Sequence, residues 1–177
     1  MTALIENLEQ WAESDSRVRA ILRRSLSFPP GAYPAAFPYV EWALTGEESA
    51  WRREVTYLAA ALWAMHWRDG RGRQRMGLGA ACAALRASSR GSESTERRFI
   101  NLLDADRDQL PHRLRQVIGL LKDYDLDFQA LLTGLLHWED DRKRTQNLWA
   151  RDFYRKTRGS QDPTADDIKE VSDEDHG

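Results

Sequence analysis

The most compact set of metal-binding side chains in this sequence is the acidic triplet Glu139, Asp140 and Asp141. Carboxylate oxygens are the ligands that Mg²⁺ prefers, and a divalent cation held there could support phosphodiester hydrolysis. A solvated junction between two helices would have the same composition. We favour the junction and predict no metal site, although a metal-dependent nuclease stays open as an alternative.

The patterns of other common catalytic sites are missing from the sequence. It has no GxSxG, no GxxxxGK[ST] and no HExxH, and its four histidines are scattered. We expect His66 and His137 to be packing residues. Cys82 lies in the small-residue run GAACAAL, so we expect a buried apolar side chain rather than a nucleophile. These features predict a protein that is not an enzyme and needs no cofactor.

Basic residues form a more informative pattern near the end of the chain. Arg144, Arg151, Arg155 and Arg158 recur at i, i+7, i+11 and i+14, which aligns them on one helical face. Within that span only Asp152 interrupts them. Arginine binds phosphate with a rigid, two-pronged donor. The spacing therefore predicts a polyanion-binding face, with an ordinary solvated face as the alternative.

Further cations stand at the ends of other predicted helices and join the candidate set. Binding through such groups would depend strongly on salt and little on base sequence. The full set of candidate nucleic-acid-binding residues is Arg23, Arg24, Arg115, Arg142, Lys143, Arg144, Arg151, Arg155 and Arg158.

Charge is distributed unevenly along the chain. Residues 160–177 contain seven acids and one lysine, a net charge of −6, while the whole chain has a net charge of −2. The remaining residues therefore carry +4, and nearly all of their cations are arginines. This composition suits a phosphate-rich partner, although arginine-rich codon usage would produce the same bias.

Helical periodicity recurs throughout and predicts an all-α fold. Thr45 and Glu48 fit a capping box before a long helix, and residues 78–87 form a small-residue helix that permits close packing. The apolar helix at 127–138 is expected at the centre of a bundle, and the last helix spans about 142–157. The domain prediction is a two-lobed helical protein, with an N-terminal lobe at 1–88, a basic loop at 68–79, a C-terminal bundle at 93–158 and a disordered acidic tail at 159–177.

Membrane and export signals are absent from the sequence. No apolar run approaches the roughly 20 residues of a membrane span, and the first residues, MTALIENLEQWAE, have acids where a signal peptide has cations. We expect a cytoplasmic protein without a membrane partner.

Four segments follow one another in the second half of the chain: ERRFINLLDADRDQLPHRLRQVIGLL at 96–121, the apolar DFQALLTGLLHW, the basic DRKR and the aromatic WARDFY. In this order they resemble the CasB family, the small subunit of the type I-E CRISPR surveillance complex Cascade. The N-terminal half agrees in outline, including the Arg23-Arg24 pair after a helix. The acidic tail departs from the family pattern.

The resemblance implies two helical lobes and a non-catalytic role. Family members are similar in occurring as two copies in the complex, where they contact the repeated backbone subunits and the large subunit. They help to hold the guide RNA–target DNA heteroduplex and the displaced strand. Six candidates match the family's basic surface by position: Arg23, Arg24, Arg115, Arg142, Lys143 and Arg144. The alternative is a protein–protein adaptor whose cations contact acidic partner proteins.

Overall fold

The computed structural model describes residues 3–68, 74–88 and 93–158, with the backbone alone for residues 3 and 156–158. The predicted acidic tail and part of the predicted basic loop lie outside these residues. Two short 3₁₀ turns, Pro34–Ala36 and Glu41–Ala43, accompany the α-helices. The described residues form nine of them: α1 Ala3–Ser14, α2 Ser16–Ser25, α3 Phe37–Val40, α4 Ala50–His66, α5 Leu78–Ala87, α6 Glu93–Leu103, α7 Leu110–Leu120, α8 Phe128–Leu136 and α9 Arg144–Arg158.

Extended pairing in the described residues is limited to one parallel bridge. The Met76 N–H donates to the Asp125 carbonyl at 2.8 Å, and the Asp127 N–H donates to the Met76 carbonyl at 2.9 Å. This bridge ties the chain before α5 to the chain before α8. The all-α prediction is confirmed.

Helix α4 forms the centre of the fold. Every residue from 55 to 64 is buried, and α1, α2, α3, α7 and α8 pack around the helix. Its run of small residues, Ala59–Ala61, lets neighbours approach from several sides. The prediction that the apolar helix at 127–138 is central was wrong, because α8 buries one face and exposes Ala130 and Thr133.

The start of α4 differs from the predicted capping box. Ser49 is the N-cap, and its hydroxyl accepts a hydrogen bond from the Arg52 N–H at 3.2 Å. The Glu48 carboxylate instead accepts the backbone N–H groups of Thr45 and Gly46. These bonds close a turn at Gly46, whose φ of +86° suits glycine. The bond from the Thr45 N–H to Glu48 that a capping box requires is therefore present. It closes a turn before the helix and does not cap α4.

Helices α5 and α9 pack closely across the predicted lobe boundary. The buried side chains Ala81, Cys82 and Ala83 of α5 are small, so α9 can approach closely. Helix α9 buries Trp149 and Phe153. Buried side chains from both predicted lobes belong to one continuous cluster. The division at residue 88 stays a prediction.

Candidate nucleic-acid interface

The acidic triplet lies in the turn between α8 and α9. Asp140 Oδ2 accepts a hydrogen bond from Arg144 Nε at 2.5 Å, and this bond lowers the pKa of the Asp140 carboxyl. Glu139 and Asp141 are exposed. Among the described residues, no three His, Cys, Asp or Glu side chains are placed to hold one metal ion. Asp140 thus anchors the beginning of α9.

The two histidines singled out from the sequence have different environments. His66 is buried, with Nε2 2.9 Å from the Leu121 carbonyl and its ring against Phe128, so the packing prediction is confirmed. His137 is exposed, and its Nδ1 lies 2.9 Å from the Thr133 carbonyl. The packing prediction for His137 was wrong, because α8 ends at Leu136 and the imidazole turns toward solvent.

Cys82 is a buried residue of α5, and burial raises the pKa of its thiol to about 12. The unfolded chain loses this proton near pH 9 while the folded chain keeps it. Stability must therefore fall as pH rises from about 9 to 12, by about 1.4 kcal/mol per pH unit from this group. We expect denaturant titrations to show a shallower alkaline loss in Cys82→Ala than in the parent chain. Equal alkaline slopes would contradict the burial of the thiol.

The arginine row of α9, defined as Arg144, Arg151, Arg155 and Arg158, follows the helical repeat. Its members with described side chains, Arg144, Arg151 and Arg155, are exposed on the face opposite buried Trp149 and Phe153. The burial of two aromatic rings determines which way the row points, because α9 is amphipathic. Arg158 is the last residue of α9, and its side chain is not described.

The members of this row differ in their partners. Arg144 forms an ion pair with Asp140. Within the described part of the chain, Arg151 and Arg155 have no carboxylate at ion-pairing distance. An unpaired, exposed guanidinium keeps all its donors for an external anion. Arg151 and Arg155 are therefore the members best placed to bind phosphate.

Arg142 and Lys143 lie in the turn that leads into α9, and both are exposed. The Lys143 N–H donates to the Asp140 carbonyl at 2.8 Å, and Lys143 has a φ of +47°. The Asn147 amide donates to the Arg142 carbonyl at 3.0 Å. These bonds hold the turn in one shape, so the two cations are presented from a defined backbone.

Three candidates outside α9 lie on α2 and α7. Arg23 and Arg24 are exposed on the last turn of α2, which begins at the N-cap Asp15. Arg115 is exposed on α7 and lines a cavity of about 250 Å³, which Ser25 and Leu26 line from the α2 side. The structure thus places Arg115 beside the end of α2. We call Arg23, Arg24 and Arg115 the α2–α7 basic group.

The α2–α7 basic group and the arginine row of α9 are positioned by different packing. Helix α2 packs mainly against α4 and α7 mainly against α6, whereas α9 packs mainly against α5. Different helices therefore carry the two sets of cations.

Two further arginines, Arg19 and Arg107, each lie over a tryptophan ring. Arg19, which the candidate set omitted, lies over the Trp67 ring at 5.0 Å and lines a shallow depression with Arg23 and Arg24. Its i, i+4 spacing from Arg23 was the available signal. Arg107 donates to Glu54 at 2.8 Å and lies over the Trp51 ring at 5.0 Å. Arg107 thus joins α4 to the turn before α7.

Among the described helices, none has the length and apolarity that crossing a bilayer requires. The fold and these sites define a small, all-helical protein that carries its exposed arginines on packed helices.

The chain belongs to the Cse2 family of CRISPR-associated proteins, which is also called CasB. The family model for CRISPR-associated protein Cse2 matches residues 18–154. A Cse2 protein of Thermus thermophilus is 47% identical over 139 residues, which cover 77% of this chain and 78% of the relative. The resemblance inferred from the four sequence segments is confirmed.

Solved structures agree with this assignment. A crystal structure of CasB from Thermus thermophilus is 41% identical, with a TM-score of 0.73 over 85% of this chain and 95% of the other. A chain of a CRISPR RNA-guided surveillance complex has a TM-score of 0.77 over 89% of this chain and 93% of its own length. At 23% identity, the second likeness shows a shared fold.

Proposed function

We propose that this chain is a non-catalytic subunit of a CRISPR RNA-guided surveillance complex of the Cascade type, where it stabilises the R-loop formed by guide RNA and target DNA. The observation that carries the proposal is the arginine row of α9, because Arg151 and Arg155 are exposed and have no carboxylate partner among the described residues. Membership of the Cse2 family and the fold shared with a chain of such a complex support it.

The proposed partners are the phosphate backbones of guide RNA and target DNA, the repeated backbone subunits, the large subunit and a second copy of this chain. The arginines act on phosphates and not on base edges, so the contacts are independent of sequence. R-loop formation exchanges one duplex for another of similar stability, as in Cas9-type complexes. A few phosphate contacts then suffice to favour the open state, and strand cleavage belongs to a separate protein.

A protein–protein adaptor is the second candidate, and one observation favours it. Leu148 lies on α9 next to the arginine row, and 51% of its surface is exposed. A large apolar side chain among cations suits a protein interface, where arginine is also enriched. On this alternative the arginine row contacts acidic groups of a neighbouring subunit.

A salt titration of the assembled complex tests the phosphate contacts. Each lost contact lowers the slope of log affinity against log salt by about 0.7 for a single strand and 0.9 for B-form DNA. With two copies present, Arg151→Gln combined with Arg155→Gln removes four contacts, so we expect the slope for target DNA to fall by about 3. The measurement is equilibrium binding of the complete complex at several salt concentrations.

The matched control is Arg98→Gln combined with Lys122→Gln, which removes the same charge away from α9. Both side chains are exposed, Arg98 on α6 and Lys122 after α7. The Glu96 side chain accepts a hydrogen bond from Tyr154 of α9. Arg98 is two residues after Glu96 on the same helix, so the Arg98 side chain points away from α9. An unchanged slope in the α9 variant, or an equal fall in the control, would overturn the proposal.

A further inference from the structure

The cavity of about 250 Å³ beside the α2–α7 basic group contains features that phosphate binding does not use. Its volume is many times the roughly 10–15 Å³ that one water needs, so it has room for one planar base. The floor comes from α4, through Tyr57, Leu58 and Ala61. The walls are the turn after α2 and the start of α7, and they include Phe28, Pro30, Asp108, Pro111, His112 and Arg115.

Phe28 forms a rigid aromatic wall of this cavity. Its side chain is 41% exposed, and its ring stacks on Tyr33 with centroids 4.7 Å apart and planes 11° apart. Phe28 lines the cavity, whereas its stacking partner Tyr33 does not. The Phe28 N–H donates to the Ser25 carbonyl at 3.0 Å, and two prolines follow. The ring is therefore held in place while exposed.

The α7 side of the cavity provides polar groups of two kinds. Arg115 is exposed, and within the described residues it has no carboxylate partner. Asp108 is exposed as well, and its carboxylate can accept hydrogen bonds from an amino group. His112 Nε2 lies 2.9 Å from the Gln116 amide nitrogen on the same wall. One cavity thus combines an aromatic face, a cation and an acceptor.

We propose that this cavity binds one nucleobase of a single-stranded nucleic acid, stacked on Phe28 with its phosphate at Arg115. A splayed-out nucleotide presents a flat face, an edge with donors and an anionic backbone, which these three groups match. Asp108 favours adenine, cytosine and guanine, which carry amino groups, over thymine. The inference rests on the proposed function, because the complex must bring a single strand to the α2–α7 basic group.

Abasic nucleotides separate base binding from phosphate binding, because they keep the phosphate and lose the base. The probe is a target DNA whose displaced strand carries one abasic site at successive positions, bound to the complete complex. Loss of one base that stacks on an aromatic side chain should raise the dissociation rate by about 10-fold, near the lower end of the range for such contacts. We expect faster dissociation by about 10-fold at a position facing each copy, and little change elsewhere.

Phe28 variants test whether the base binds in this cavity. With Phe28→Ala, natural and abasic strands should dissociate at the same rate, and Phe28→Trp should restore the difference. Phe28→Leu keeps an apolar side chain and should not restore it. Loss of the stack on Tyr33 should lower the melting temperature of Phe28→Ala and Phe28→Leu by about 2–4 °C, whereas Phe28→Trp keeps an aromatic stack and should melt near the parent protein.

The outcomes distinguish this inference from the proposed function. If no abasic position matters in the parent complex while Arg151→Gln with Arg155→Gln still lowers the salt slope, the base site is wrong and the phosphate contacts stand. If Phe28→Leu behaves like the parent protein, the occupant is an apolar side chain of a partner protein, and the inference is overturned as well.

Discussion

Replacing Gly79 by alanine should destabilise the protein by about 3 kcal/mol, the upper range for overpacking a tightly packed site. A Cβ atom at Gly79 would lie 2.2 Å from the Trp149 carbonyl oxygen and 2.9 Å from the carbonyl carbon. The clash is with backbone, so no rotamer change relieves it, and α5 and α9 must separate. For a chain of this size, about 2–4 °C per kcal/mol gives a fall in melting temperature of about 6–12 °C.

The control for this substitution is Gly119→Ala in α7. Apart from its chain neighbours and the backbone of its own helix, no atom lies within 4 Å of a Cβ built at Gly119, and the residue is exposed. Alanine there should stabilise the protein by about 0.5–1 kcal/mol, because glycine costs more entropy in a helix. Thermal unfolding followed by circular dichroism compares the two variants. A melting temperature of Gly79→Ala equal to that of the parent would show that α5 and α9 are farther apart than described.

The local features of the fold were largely predictable from the sequence. The small-residue helix at 78–87 coincides with α5, because small side chains and the preceding glycine leave a clear pattern. The arginine spacing predicted the exposed row of α9, since the aromatic residues at complementary positions are the ones that become buried. One local feature was overlooked, namely the Arg144–Asp140 pair, although its i, i+4 spacing is visible in the sequence.

Features that depend on which helices meet were not predictable in this way. The apolarity of α8 suggested a central position, yet α4 is central because its alanines admit neighbours on all sides. Periodicity specifies which face of a helix is apolar and says nothing about the partner of that face. The pairing of α5 with α9 is of this kind.

The α2–α7 basic group shows the same limit at the candidate site. Arg23 and Arg115 were separate candidates, and the structure places Arg115 on a cavity formed partly by the end of α2. Nothing in the spacing of residues so distant in sequence indicates that proximity. Phe28 was overlooked because an aromatic residue in a proline-rich turn has no distinguishing pattern; its exposure and its stack on Tyr33 are tertiary properties.

Reversing the charge of the arginine row should shorten the lifetime of the R-loop by about 100-fold. Arg151→Glu combined with Arg155→Glu alters four positions in a complex with two copies. Each position loses a contact of about 0.5 kcal/mol, typical of exposed ion pairs, and gains repulsion of similar size. After screening by salt, about 3 kcal/mol remains, and each 1.4 kcal/mol corresponds to a factor of ten. The measurement is the rate at which a labelled displaced strand re-pairs after R-loop formation.

The same variant separates the nucleic-acid role from the adaptor role. If the arginine row contacts phosphate, the complex carrying Arg151→Glu and Arg155→Glu should assemble with its normal mass and release its target sooner. If the row contacts acidic partner subunits, the variant should be lost from the complex, and Leu148→Ala should weaken assembly as well. Arg98→Glu with Lys122→Glu has the same change in charge and should leave both assembly and R-loop lifetime near those of the parent. An intact complex with an unchanged R-loop lifetime would contradict phosphate binding by α9, because exposed guanidinium groups that touch the backbone cannot be reversed in sign without effect.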